Sequence, residues 1–168
     1  MAFIITGGIF RSFAEYSDVV QLDSRFFSTN EGLTEDTVEQ LLELASQRIL
    51  SRIRASSWWA DYNFSRNTAL NNDKRLLPDV NGKFILGRRQ DWTDLCVYFA
   101  LQEYIYPKYA DFGNPDSSEV RKMALYKERY DDLWRELIED GSWYDFSQDG
   151  VIQTSEREPT RLKLVRVR

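Results

Sequence analysis

The sequence predicts a mainly α fold: a helical bundle of about four helices, with an extended N-terminal arm and a β-like C-terminal arm. Three observations carry that prediction. Two long stretches repeat apolar residues at spacings of three and four, as an amphipathic helix requires. A stretch between them is apolar nearly all round, as a helix buried inside a bundle would be. Turn-forming Gly, Pro, Asn and Asp gather between these stretches rather than within them. The 168 residues suffice for one domain with its own core. No repeat, low-complexity tract or linker divides them. The organisation read from the chain is therefore an extended arm over 1–32, a helical bundle over 33–141, and an Asp/Gly loop with a basic arm over 142–168.

Residues 1–32 scatter glycines and phenylalanines among polar positions, which reads as extended chain with short strands or a hairpin. The opening Met1-Ala2-Phe3-Ile4-Ile5-Thr6-Gly7-Gly8-Ile9-Phe10 is apolar but short, and lacks a basic leader. It fits neither a signal peptide nor a membrane span. The first helix opens at Leu33-Thr34-Glu35-Asp36, with Thr34 as N-cap and two acids at the positive end of the helix dipole. Val38, Leu41, Leu42, Ala45, Ile49 and Ile53 then form one stripe. A second helical piece runs through Trp58, Trp59, Tyr62 and Phe64. Residues 67–87 are loop, a length usually reserved for function or an interface, with Lys83-Phe84-Ile85-Leu86 as a short strand or packing segment. Residues 88–106 make the buried central helix, closed by Pro107. After the Asn114-Pro115-Asp116 turn, with Asp116 or Ser117 as cap, Val120, Met123, Tyr130, Leu133, Trp134, Leu137 and Ile138 mark the last long helix. Gly141 stops it.

Composition narrows the chemistry. There is no histidine and a single cysteine, Cys96. That removes Ser-His-Asp and Cys-His catalysis, His-ligated zinc and an internal disulfide. Cys96 sits in an apolar run, as a buried inert thiol does. Carboxylate or lysine chemistry stays open, but no acid pair at a telling spacing supports it. The expectation is a non-enzymatic protein, soluble and needing no disulfide. Aromatic residues are 14% of the chain, a surplus that serves either a core or an interface. Adjacent Trp58 and Trp59 point about 100° apart on a helix. One of the two is therefore a candidate interface residue; two unequal core contacts are the alternative. Arg48, Arg52 and Arg54 read by default as a solvated face.

Two local patterns stand out. Asp145-Phe146-Ser147-Gln148-Asp149-Gly150-Val151-Ile152-Gln153-Thr154-Ser155-Glu156 has oxygen donors at loop positions one, three and five, Gly at six and Glu at twelve. That is the spacing of an EF-hand loop. A tentative Ca2+ site would draw on Asp145, Ser147, Asp149, the Val151 carbonyl and Glu156. Ser147 lacks the usual charge, and Pro159 argues against an exiting helix. The other reading is an Asp-Gly turn held by its own side chains, with no cofactor at all. The second pattern is the tail Arg161-Leu162-Lys163-Leu164-Val165-Arg166-Val167-Arg168. It alternates aliphatic and basic residues like a strand, but the alternation changes register between Leu164 and Val165, as a bulge or a tail passing from one surface to another would; a charge-protected edge strand of the same molecule is the other reading. Residues 157–168 carry a net +4, which leaves −9 on the rest of a chain whose total is −5. An acidic body with a basic tail is built to dock on an acidic protein surface rather than to grip nucleic acid.

Taken together, the Leu33-Thr34-Glu35-Asp36-Thr37-Val38-Glu39 helix start, Ile49-Leu50-Ser51-Arg52-Ile53-Arg54, Trp58-Trp59, a buried helix with Asp91-Trp92 and a charged last helix leading to a basic tail resemble the head-to-tail connector (adaptor, or head-completion) proteins of tailed bacteriophages. The resemblance covers roughly residue 33 onward and is one of architecture. It implies a structural virion protein of the neck, assembled in the host cytoplasm, which forms a homo-oligomeric ring, often of twelve copies. Its partners would be the portal protein and the next neck or tail protein. DNA would pass through the bore as cargo only, and no membrane would be involved. The C-terminal arm, 161–168, would dock on the portal. The long N-terminal arm has no counterpart in that pattern. A calcium-responsive protein-binding module of cellular origin is the alternative.

Overall fold

A computed structural model describes residues 3–24, 27, 33–114 and 117–157. Its elements run in the order β1 (Ile4–Thr6), β2 (Ile9–Ser12), α1 (Tyr16–Leu22), α2 (Glu35–Ala55), α3 (Ser57–Arg66), α4 (Arg89–Ala100), α5 (Ser118–Asp140) and α6 (Thr154–Arg157). The chain is mainly α, with α2, α4 and α5 as the walls of the bundle and one two-stranded antiparallel hairpin, β1–β2.

Local chemistry explains where the helices begin and end. The Thr34 hydroxyl accepts the Thr37 N–H at 3.4 Å and starts α2. Ser56 ends α2 and caps α3, accepting the Trp59 N–H at 3.3 Å. Ser117 caps α5, and Gly141 closes it in the left-handed conformation at φ 63°. A Cβ on Gly141 would come within 2.6 Å of the Trp58 indole nitrogen, so conformation and space both require glycine there. Along α2, Val38, Leu42, Ala45, Ile49 and Ile53 are buried as one stripe. In α4, Trp92, Leu95, Cys96, Val97 and Ala100 are buried. The helix then continues as one π-type turn, Leu101–Ile105, and a 3-10 turn, Tyr106–Lys108. Pro107 has no N–H to give to the carbonyl four residues back, which ends the regular ladder.

Residues 67–87 are not a strand-bearing loop but three short 3-10 turns, Thr68–Leu70, Lys74–Leu76 and Gly82–Phe84. Each is capped by the side chain of the residue before it: Asn67, Asp73 and Asn81. Arg54 holds the middle of this segment to α2. It donates to the Leu77 carbonyl at 2.8 Å and pairs with Asp79 at 3.1 Å.

The described part of the N-terminal segment adds detail to the expected arm with short strands or a hairpin. The expected hairpin is present, but it is packed into the bundle and is followed by α1. Phe13 is 1% exposed and stacks on Trp92, with ring centres 5.8 Å apart. Ser46 of α2 accepts the Phe13 N–H at 3.0 Å, and Thr93 of α4 donates to the Phe13 carbonyl at 2.8 Å. Both backbone groups of Phe13 thus find partners inside the core, which permits a non-helical residue to be buried there. At the far end of α1, Asp23 accepts from the Tyr106 hydroxyl and from the Lys122 ammonium, joining α1 to the end of the α4 helical stretch and to α5.

Candidate functional site: an aromatic clasp and the loop it carries

Residues 142–157 fold back over α3. Trp143 is fully buried. It stacks on Trp58 at 4.4 Å, meets Trp92 at 4.5 Å, and donates its indole N–H to the Leu137 carbonyl at 2.7 Å. Tyr144 forms an isolated bridge with Ile85, and Asp145 donates its N–H to the Phe84 carbonyl at 2.8 Å. Phe146 lies on Tyr62 with ring centres 3.3 Å apart and stacks on Trp59 at 5.3 Å. The strand-like Lys83-Phe84-Ile85-Leu86 therefore serves as a packing segment, as one of the two readings of it held.

Of the two readings of Trp58 and Trp59, one exposed for a neighbour or two unequal core contacts, the clasp matches the second within one copy. Trp58 is 6% and Trp59 3% exposed within one copy. They do point in different directions, but the second direction is covered by Trp143, Tyr144 and Phe146. Trp59 also donates its indole N–H to the Pro78 carbonyl at 3.0 Å. Trp58 and Trp59 thus hold the C-terminal loop to the body rather than presenting a surface. Much of the aromatic surplus among the described residues goes into the core.

The loop that follows has EF-hand spacing but different physics. All four oxygens of its two buried carboxylates accept amides of the loop. Asp145 Oδ1 accepts the Gln148 N–H at 2.8 Å, and Oδ2 the Gly150 N–H at 2.8 Å. Glu156 Oε1 accepts the Ser147 N–H at 2.6 Å, and Oε2 the Gln153 N–H at 2.8 Å. The Ser147 hydroxyl donates to Asp145 at 3.1 Å. Asp149 is exposed and turns outward. Its carboxylate accepts the Val151 N–H at 2.9 Å and the Gln153 side-chain amide at 2.7 Å, which together hold its pKa below the usual carboxylate value. Val151 is 64% exposed.

Among the described residues, no group of three or more acidic or cysteine side chains comes together in a way that would hold a metal ion. Asp145, Ser147, Asp149, Val151 and Glu156, the tentative Ca2+ set, are drawn together in a turn closed by its own side chains. Here amide N–H groups supply the positive ends that face the two buried carboxylates. Gly150 is left-handed at φ 89° with open space around it, so the turn needs its conformation and not its small size.

Arg66 anchors the far side of the loop. It lies over the Tyr62 ring at 4.3 Å and donates to the Ser155 carbonyl at 2.8 Å, at the start of α6. The basic arm residues Arg161, Leu162, Lys163, Leu164, Val165, Arg166, Val167 and Arg168 lie outside the described residues.

Burial pushes the Cys96 thiol up to about 12, and its sulfur rests against the Ser46 hydroxyl at 3.3 Å. Burial, with Asp23 beside it, pushes the Tyr106 phenol up as well, so it stays a donor. No described helix is long and apolar enough to cross a membrane. The chain matches no family model, no curated protein and no solved structure.

Proposed function

We propose that this chain is a structural virion protein of a tailed-phage neck, a ring-forming adaptor between the portal protein and the next neck or tail component, through which DNA passes. The observation that carries this reading is the way the C-terminal region leaves the body. The clasp of Trp143, Tyr144 and Phe146 on Trp58, Trp59 and Tyr62 makes the loop a rigid extension of the bundle. The loop is closed on itself by Asp145 and Glu156, and Arg66 fixes its last turn. The net +4 segment follows directly, on a chain that is otherwise −9. A rigid base followed in the sequence by a charged, aliphatic segment suits a docking arm. An acidic body also suits a conduit that must not hold its DNA cargo.

The test mixes the purified chain with its portal ring and reads complex formation by sizing chromatography and electron microscopy. The intact chain forms a ring on the portal, and a variant lacking 161–168 keeps its helical spectrum but stays unbound. Full binding by the truncated variant overturns the role of the arm, and no ring on any portal overturns the adaptor reading.

A further inference from the structure

A second feature is independent of the clasp. A cleft of about 510 Å3 opens between α2, α4 and α5. Its rim carries Arg48, Ser51 and Arg52 of α2, with Glu103 as the one acid in the lining, and its walls are Phe99, Tyr104 and Tyr130. Phe99 meets Tyr104 at 5.8 Å and Tyr130 at 5.2 Å, so the aromatic surface is continuous. Arg52 is laid over the rings of Tyr130 and Trp134 at 5.1 and 4.6 Å, and its nearest carboxylate, Asp131, is 4.0 Å away. Arg48 is exposed, and no hydrogen bond or ion pair joins it to any described residue. The Tyr130 hydroxyl is buried without a hydrogen-bond partner. Tyr104 comes to the cleft from the π-type turn, a backbone irregularity that recurs at functional sites. An aromatic floor under two guanidinium groups is complementary to an aromatic side chain with a carboxylate beside it.

The same chain presents that pair. Phe112 is 66% exposed, the most exposed large apolar side chain among the described residues. Asp111 precedes it. One Asp111 oxygen accepts the Gly113 N–H at 2.9 Å and shapes the tip, and the other has no described partner.

We propose that the Asp111–Phe112 tip of one copy seats in the Arg48/Arg52 cleft of the next. Knob and hole are different surfaces of one chain, so the contact is head-to-tail, the kind that builds a ring where its rotation closes and a filament where it does not. The proposal rests on the reading of the chain as a repeated neck component and names the contact between its copies. Pairing an acid with Arg48 also offsets, at the contact itself, the repulsion between two acidic bodies.

Two measurements test it. A Phe112→Cys protein and a Ser51→Cys protein are mixed under oxidising conditions, Ser51 lying beside Arg48 and Arg52 in the cleft. The native Cys96 is fully buried and stays out of the reaction. The mixed disulfide dimer forms in preference to either symmetric one at concentrations up to about 1 mM, where even a millimolar contact is half occupied. Its absence overturns the proposal. Separately, self-association is measured by sedimentation. Arg48→Asp or Asp111→Arg alone weakens it by about tenfold, and the two together in one chain restore it. Association that ignores both reversals places the contact elsewhere and overturns the proposal, as does a cleft that takes an acidic-aromatic peptide while copies of the chain do not associate. Portal binding is scored in parallel. An Arg48→Asp chain that still rings normally on the portal refutes this contact while leaving the adaptor reading standing.

Discussion

Glu156 is the residue on which the closure of the C-terminal loop turns, and Glu156→Ala removes it with least disturbance elsewhere. The carboxylate is 3% exposed and accepts two backbone N–H groups, from Ser147 and Gln153. A hydrogen bond to a charged group contributes about 1.5 kcal/mol net, so the pair contributes about 3 kcal/mol. Ser147 and Gln153 are themselves exposed residues, and water reaching their amides returns part of that, which leaves a loss of about 2 kcal/mol. For a chain of this length the loss lowers Tm by roughly 4–8 °C. Chemical denaturation gives the free energy, and hydrogen exchange at the Ser147 and Gln153 amides locates it. Glu156→Gln recovers little, because its NH2 group faces one of the two N–H donors. Calcium is the matching control. It produces no heat of binding and no rise in Tm in the unmodified chain, since the carboxylates are already engaged. A loss below about 0.5 kcal/mol, within the scatter of ordinary surface substitutions, refutes the closure argument. A calcium-dependent rise in Tm refutes the account of the loop as a turn set by its own amides.

Three further outcomes follow from the same packing. Phe146→Ala unseats the loop from Trp59 and Tyr62 and costs about 3 kcal/mol, read by urea denaturation, with loss of near-ultraviolet dichroism from the tryptophans. Gly141→Ala combines a left-handed backbone with a 2.6 Å approach to Trp58 and costs about 2 kcal/mol or more, measured the same way. The Cys96 thiol, pushed up to about 12, stays protonated in the folded chain, while the unfolded chain releases the proton above about 9. The folded state then binds more protons, so this contribution to stability is complete below pH 9. It falls by up to about 1.4 kcal/mol per pH unit above that. Cys96→Ser flattens that slope in pH-dependent denaturation, and alkylating reagents reach Cys96 only as fast as the protein unfolds.

What the sequence made legible was whatever depended on near neighbours. The α2 stripe, the Thr34 and Ser117 caps, the apolar middle of α4 and the Gly141 stop all follow from periodicity and short-range chemistry. The helix α1 did not stand out, because its seven residues bury little beyond Val19 and Asp18. The burial of Phe13 depends on Ser46 and Thr93, which are remote in sequence. Trp58 and Trp59 pointed to an uncovered face because the cover, Trp143 to Phe146, arrives from far downstream. The aromatic cluster Trp143, Tyr144 and Phe146 just after the helix stop was the available signal. The loop was ambiguous for a different reason. Carboxylates at EF-hand positions serve a cation or a set of amides equally well, and only the direction of the N–H groups separates the two.

The stack that joins Phe13 to Trp92 and Trp92 to Trp143 has a consequence for the order of events in the cell. It draws on the start, the middle and the far end of the described chain, so the core has no complete subset. Helices α2 and α4 can form as they emerge from the ribosome, but the aromatic column closes only after Trp143 has been synthesised. A polypeptide cut short by premature termination before that point keeps an open, adhesive interior. Unburied apolar surface of that kind makes an incomplete chain prone to aggregate.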